Sequence, residues 1–275
     1  MRLSSARLIP LVAVAQFYLG LCARGVTYDV AADFSTSSNP NGVWSYGYAL
    51  TLGGSFTLYN QAGSTLGIDY WSLSGGVPDV AHNSTPNPVS LGTPLFAPYQ
   101  AALHPGQYGE YSIFRFTAPV AGSYQLQTSF SGIDTNGTTT DVHVLTNDAV
   151  IFSGSVNGFG PGTGPGLVTN LVLQANDRVD FAVGYGSDGN YFDDATGIQA
   201  TLILAVPMLT VQPLDGLGVQ LGWSTNFTGY SLESATNLAA GGWTSVTNQI
   251  TPQGQQFTVT VATNFPQQYF RLQKP

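Results

Sequence analysis

The chain has 275 residues, of which only 8 % are charged, and a formal charge of −8. Soluble domains average about 25 % charged residues. Seven Lys and Arg cannot form the clustered contacts that a phosphate backbone needs, so nucleic acid is excluded and an anionic membrane surface disfavoured. With 43 % hydrophobic and 12 % aromatic residues, disorder is excluded too.

The leader comes first. Met1–Arg7 is basic, Leu8–Ala23 is apolar, and Ala23-Arg24-Gly25 offers small residues for cleavage, so residues 1–25 read as a secretory signal peptide. The apolar run is shorter than the ~20 residues of a membrane span, and no later segment reaches that length. The expected location is therefore extracellular or cell-surface, with no membrane span once the leader is cleaved. Cleavage removes Cys22, the only cysteine, so the mature chain is held by its core and not by disulfides.

Glu110, Glu233 and Lys274 are the only Glu and Lys residues. Such residues usually fill exposed helix faces. Gly, Thr, Ser, Asn, Val, Tyr and Phe dominate instead, as in strands and turns. Thr27–Phe34 reads as a first strand. Ser35–Tyr46 opens on Asn39-Pro40-Asn41-Gly42 turn chemistry and ends in an aromatic patch. Tyr48–Asn60 reads as a hairpin turning at Gly53-Gly54, and Gly67–Leu73 as an aromatic strand or loop. Gly75–Gly106, with six prolines, reads as a long irregular connection covering one sheet face.

The main body alternates more cleanly. Strands are expected at Tyr111–Thr117, Gly122–Ser131, Thr139–Thr146, Ala149–Val156, Gly166–Leu173, Arg178–Gly184 and Thr196–Leu204, with tight turns at Asn147-Asp148 and Ala175-Asn176-Asp177. Beyond Val206-Pro207, six further short strands are expected: Met208–Gln212, Gly218–Trp223, Gly229–Ser234, Trp243–Thr247, Gln256–Ala262 and Gln268–Leu272. Turns fall at Asp215-Gly216 and Gly241-Gly242. The fold class is all-β: a jelly-roll β-sandwich over residues 26–206 and a smaller immunoglobulin/fibronectin-like β-sandwich over residues 207–275.

Two resemblances rest on these segments. Gly109–Leu204, through Phe114-Arg115-Phe116-Thr117-Ala118-Pro119, Ala121-Gly122-Ser123-Tyr124 and the Asp193–Leu204 strand, resembles the carbohydrate-binding-module jelly rolls of secreted bacterial proteins. The C-terminal segment, through GYSLESATNLAAGGWTSV and the ending YFRLQKP, resembles fibronectin type III-like modules of large secreted bacterial proteins. The first resemblance implies a polysaccharide or cell-surface glycan as partner, and a structural calcium beside the terminal strand at Asp193 or Asp194.

Three constellations bear on chemistry. Trp44, Tyr46, Tyr48, Tyr70, Trp71 and Tyr99 form an aromatic set beside Asn39, Asn41, Asp69 and Asn83. Sugar rings stack on such faces while amides bind their hydroxyls, so Trp44, Tyr46, Trp71, Asn83 and His104 are the candidate ligand contacts. The rings equally suit a sandwich core, which is the expectation for Trp223 and Trp243. Ser187–Asp194, SDGNYFDD, could offer calcium oxygens from Asp188, Asn190, Asp193 and Asp194, with Asp134 and Asp141 near a second turn. An ordinary Asp/Asn/Gly turn is the plainer reading. His82, His104 and His143 lack zinc spacing.

Catalytic signatures are absent: there is no GxSxG elbow and no phosphate-binding loop. Glu110 with Asp134 or Asp141 is a nonspecific carboxylate pair, and His104, Tyr108 and Arg115 are only formal lyase candidates. The function expected is a secreted, non-catalytic glycan- or surface-binding module. The alternatives are a structural display protein without small ligand, and an all-β polysaccharide lyase or glycoside hydrolase.

Overall fold

A computed structural model describes residues 25–74, 76–214, 218–238, 242–262, 265 and 267–274. Residues 1–24 of the expected leader, the turn at Asp215-Gly216 and Gly241 lie outside them. The described residues contain no helix, and their sheets are antiparallel. They divide into two compact units, Gly25–Ala205 and Val206 onward.

The first unit is a jelly-roll sandwich. One sheet has the order Gly166–Leu173, Gly122–Gly132, Thr196–Leu204, Ala101–His104, Gly76–Asn83, Ile68–Leu73 and Gln61–Thr65, with Thr27–Asp29 also paired to Thr196–Leu204. This makes eight strands. The other sheet has six, in the order Ala149–Ser155, Asp141–Thr146, Arg178–Gly184, Tyr111–Thr117, Trp44–Ala49 and Thr57–Leu58. From Tyr111 onward the chain passes repeatedly between the two sheets, which is the jelly-roll wrap. The first crossing, at Ala118–Ser123, is closed by the Tyr124 hydroxyl donating to Val120 O at 2.8 Å.

Alternation puts the core between the sheets. In Gly122–Gly132, Tyr124, Leu126, Thr128 and Phe130 are buried while Gln125, Gln127 and Ser129 are exposed. Facing them are Trp44, Tyr46, Phe114, Phe116 and Phe181, all within one buried cluster. Ring centroids lie 5.6 Å apart for Trp44–Phe116, 5.7 Å for Tyr46–Phe114 and 5.7 Å for Phe116–Tyr124, mostly edge-on.

Each polar ring atom buried here requires a partner. The N-terminal segment supplies those of Trp44, Tyr46 and Trp71. Trp44 Nε1 donates to Asp33 Oδ2 at 3.1 Å, and Trp71 Nε1 to Ser35 O at 2.9 Å. The Tyr46 hydroxyl accepts from Ser35 N at 3.2 Å. Asn39 bonds Tyr46 N and O as well as Tyr59 O. This use explains why the first strand stops at Asp29 and does not reach Phe34: Asp29 Oδ1 accepts the N–H groups of Ala31 and Ala32 and turns the chain inward.

The segment 75–106 is more ordered than its prolines imply. Gly76–Asn83 and Ala101–His104 are strands in the middle of the eight-stranded sheet. Pro78 is tolerated because it falls at a bulge, where the register shifts between Ser72 and Leu73. Between these two strands residues 84–100 are irregular, carrying the short pair Val89–Ser90 and Leu95–Phe96. They cover the outer sheet face, packing Phe96 with Ile68, Ala81, Ala102, Ile133 and Ala195.

The outer face of the six-stranded sheet is covered as well. Leu52 and Phe56 pack on Ala49, Ile113, Leu145 and Ala182. Beneath them Arg115 meets its cross-strand partner Asp180 through two bonds of 2.7 Å, with its guanidinium 4.1 Å from the Phe56 ring centroid. Burial of Asp180 outweighs the attraction of Arg115 and raises its carboxyl above the ordinary value.

The described residues of the second unit form seven strands in two sheets. Thr210–Leu214, Gly218–Ser224, Gln256–Ala262 and Thr251–Gln253 form one, and Thr244–Ser245, Ser231–Ala235 and Tyr269–Gln273 the other. Leu221, Trp223, Leu232, Val259 and Val261 make its core. Trp243 departs from expectation: it is half-buried, with the Arg271 guanidinium 4.4 Å above its ring.

Asp180→Ala, which leaves the buried guanidinium only its longer 3.5 Å contact with Asp148, is expected to lower unfolding free energy by about 3 kcal/mol in urea titration. The double variant Arg115→Met/Asp180→Leu should recover most of that loss. A single variant costing under about 1 kcal/mol would show that the pair is not buried in solution.

Candidate functional site

Trp44, Tyr46 and Trp71 are 1 %, 0 % and 9 % exposed. The expectation that they form an exposed stacking face is overturned. All three sit on strands, not loops, at positions that face inward, and the Tyr46 and Trp71 rings stack on each other at 6.3 Å. Asn83 is fully buried and structural. Its amide nitrogen donates to Asn87 O and Ala97 O, and its oxygen accepts from Thr85 N and Oγ1, which pins residues 84–100 to the sheet.

His104 lies on the outer face of the eight-stranded sheet, its Nδ1 2.9 Å from Pro105 O. Arg115 is engaged with Asp180 on the other sheet, and Tyr108 is 83 % exposed, so no lyase-like trio assembles. The carboxylates of the formal hydrolase pair are also engaged. Glu110 accepts from Tyr108 N, Asp134 from Thr93 and Asn136, and Asp141 from Gly186 N and the Tyr111 hydroxyl, with His143 Nε2 at 2.7 Å.

A different place on this sheet is open. Thr196–Leu204 changes neighbours along its length: Thr196–Ile198 pair with Ala101–Leu103, whereas Thr201–Ile203 pair with Thr27–Asp29. The sheet forks between them, and a trough of about 820 Å³ runs from the fork across the outer face. Its floor is the outward row Gln127, Ser129, Gln199 and Thr201, continued by Val168 of the neighbouring edge strand. Phe34 and His82 close the fork.

One wall is the turn Ala97–Gln100. Gln100 Oε1 accepts from Ala97 N at 2.8 Å, and Tyr99 N donates to Thr85 O at 3.3 Å. Tyr99 has φ +56°, a conformation uncommon for side chains other than Gly and Asn, and its ring is 56 % exposed at the trough rim. Its aromatic nature was legible in the sequence. Its exposure was not, because exposure depends on this turn.

The trough is nearly free of charge. Asp29 is the one acid in its lining. His82 is held below its ordinary pKa, chiefly by burial, with Asp69 pulling the other way, so it is neutral at pH 7. Amides, hydroxyls and one exposed ring suit a neutral ligand rich in hydroxyl groups.

The expected calcium ligands stand as two pairs. Thr93 Oγ1 lies 3.0 Å from Asp134 Oδ2 and 3.3 Å from Asp193 Oδ1; Thr139 Oγ1 lies 2.9 Å from Asp188 Oδ2 and 3.3 Å from Asp194 Oδ1. Asn190 uses its amide oxygen on Phe192 N. Burial pushes the Asp194 carboxyl up to about 7, with Asp188 and Asp134 adding to the shift, and its Oδ2 is buried without a partner. Among the described residues no three His, Cys, Asp or Glu side chains converge closely enough to hold a metal ion.

No family model and no curated protein matches the chain. Solved structures do. A family 35 carbohydrate binding module from Clostridium thermocellum is 14 % identical, over 50 % of this chain and 89 % of its own, with a TM-score of 0.26. A Podospora anserina GH26-CBM35 β-(1,4)-mannanase is 12 % identical, over 55 % of this chain and 30 % of its own, at 0.27. The M60 catalytic domain with CBM51 domains of Clostridium perfringens ZmpB is 12 % identical, over 75 % and 22 %, at 0.30. At these scores no residue role is carried over from them.

Asn83→Ala removes four bonds that hold the covering segment. The expected cost is about 1–3 kcal/mol, with faster hydrogen exchange confined to residues 84–100. Unchanged exchange there would show that the apolar contacts of Phe96 suffice.

Proposed function

We propose that the jelly-roll unit is a secreted, non-catalytic carbohydrate-binding module whose ligand lies in the trough beside Tyr99. The observation that carries this reading is the neutral row Gln127, Ser129, Gln199 and Thr201 below a ring that the Ala97–Gln100 turn keeps exposed. A hydroxyl-rich chain satisfies those amides, and the apolar face of one sugar ring covers the tyrosine. Secretion rests on the leader pattern of residues 1–25. Among the described residues no helix is long and apolar enough to cross a membrane. The second unit is read as a fibronectin-like companion module.

The reading keeps the structural calcium of the terminal turn, centred on the Asp188–Asp194 pair, with backbone and hydroxyl oxygens completing the shell. Its support is the unpartnered, buried Asp194 Oδ2 and the Thr139 hydroxyl bonded to both Asp188 and Asp194. Chelation is expected to lower Tm by several degrees, and Asp194→Asn to erase the difference between chelator and millimolar calcium. A Tm unmoved by either removes the metal.

Glycan binding is tested by a glycan array and insoluble-polysaccharide pull-down. Tyr99→Ala is expected to weaken retention by about tenfold and Gln127→Ala/Gln199→Ala by at least as much, with Tm unchanged for both. Retention by wild type that survives both variants would place the ligand elsewhere. Failure to retain any polysaccharide would favour the structural-display reading.

A further inference from the structure

The same sheet carries a second cavity on the other flank of the covering segment. It measures about 270 Å³ and lies between the outward faces of Ile68–Leu73, Gly76–Asn83 and Ala101–His104 and the residues Leu91, Pro94 and Phe96. Its wall is apolar: Ile68, Ala81, Phe96, Ala102 and Ala195 belong to one buried cluster, with the Tyr70 ring packed against it. Across one end runs a single cross-strand row. Ser72 is paired in register with Asp79, and Asp79 with His104, so the acid stands between the other two.

Asp79 is the unusual member. No hydrogen-bond donor and no cation among the described residues reaches its carboxylate, and burial alone pushes its pKa up to about 7. Its neighbour His104 does not compensate it. Burial holds His104 below its ordinary pKa, against Pro105 and the more distant Asp134 and Asp193, so the ring is neutral at pH 7. With Nδ1 donating to Pro105 O, Nε2 is left as an acceptor. The row therefore presents a carboxylate beside a neutral imidazole acceptor, above an apolar wall. Asp79 is half-buried and lines the cavity, so its acid is partly desolvated, and a cation brought by a ligand offsets that cost.

We propose that this cavity binds a small molecule bearing one protonated amine on a compact apolar body, with the ammonium on Asp79 and the hydrocarbon against Ile68, Tyr70 and Phe96. The ammonium has three donors, which suit the carboxylate oxygens and His104 Nε2. A neutral alcohol of the same shape fills the cavity but leaves the acid uncompensated. An anion is repelled. The site shares no lining residue with the trough, so it stands independently of glycan binding.

Benzylamine is a suitable probe, with benzyl alcohol and benzoate as controls, titrated calorimetrically into the full chain at pH 8. The amine is expected to bind at one saturable site, about tenfold or more tighter than the alcohol, while benzoate gives no heat. Asp79→Asn should weaken the amine by at least about tenfold and leave the alcohol unchanged. Leu91→Trp, at the exposed rim, should exclude both ligands with no change to the acid. Polysaccharide retention should be the same in all three proteins. Alcohol binding equal to amine binding, an amine affinity indifferent to Asp79→Asn, or no saturation up to about 10 mM overturns the proposal.

Discussion

The constraint on which the first unit depends is the polar satisfaction of its buried rings. Two indoles and three phenols lie inside the sandwich, where an unpartnered N–H or O–H costs about 1–3 kcal/mol. Strand backbones cannot serve them, because the ladder uses those groups. The residues between Asp29 and Asn41 serve both indoles and Tyr46, with Asp33, Ser35 and Asn39 each bonded to at least one core residue, while Tyr59 bonds Ser112 and Tyr124 bonds Val120 O. A stretch with almost no regular structure thereby fixes one end of the core. It also holds Phe34, which packs 4.9 Å from Tyr46 and 5.4 Å from His82.

The openings on the eight-stranded sheet follow from that arrangement and from the segment at residues 84–100. Thr27–Asp29 pairs with only three residues of Thr196–Leu204 before it turns inward, and Ala101–His104 reaches it from the other end without meeting Thr27–Asp29. The fork is the gap between two short strands. The covering segment is held by Asn83 on one side and by Phe96 on the other, and it divides the outer face into the wide trough and the smaller cavity.

The two openings differ in electrostatics. The trough sets amides and hydroxyls among apolar residues such as Pro98, Leu167 and Val168 and carries little charge, so it suits weak, neutral, multi-point contact. The cavity is apolar apart from Thr65 and the row Ser72, Asp79 and His104, and among the described residues its acid has no cation beside it. In a chain with so few cations, every Arg and Lys of the first unit sits elsewhere: Arg115 is bonded to Asp180, and Arg178 to Asp148. Low positive charge is thus a local fact about the cavity as much as a global one about the composition.

The sequence by itself determined the all-β class and the central strands. From Tyr111 to Leu204 apolar runs bounded by turn residues mark every strand to within a residue or two; Gly122–Gly132 and Gly166–Leu173 alternate because one face is buried, whereas Tyr111–Thr117, Asp141–Thr146 and Arg178–Gly184 are buried on both. The same holds for Trp223 in the second unit. Tertiary structure decided what the aromatic residues near the N-terminus do. Trp44 and Trp71 are flanked by Gly and Ser, which locally resemble loops, and only pairing with Tyr111–Thr117 and Gly76–Asn83 turns them inward. It decided that Asn83 is a pin and Tyr99 an exposed ring, since both depend on how residues 84–100 fold back. The row of Ser72, Asp79 and His104 was invisible for the same reason. Residues far apart in the chain become neighbours only through strand register, and no local pattern carries that information.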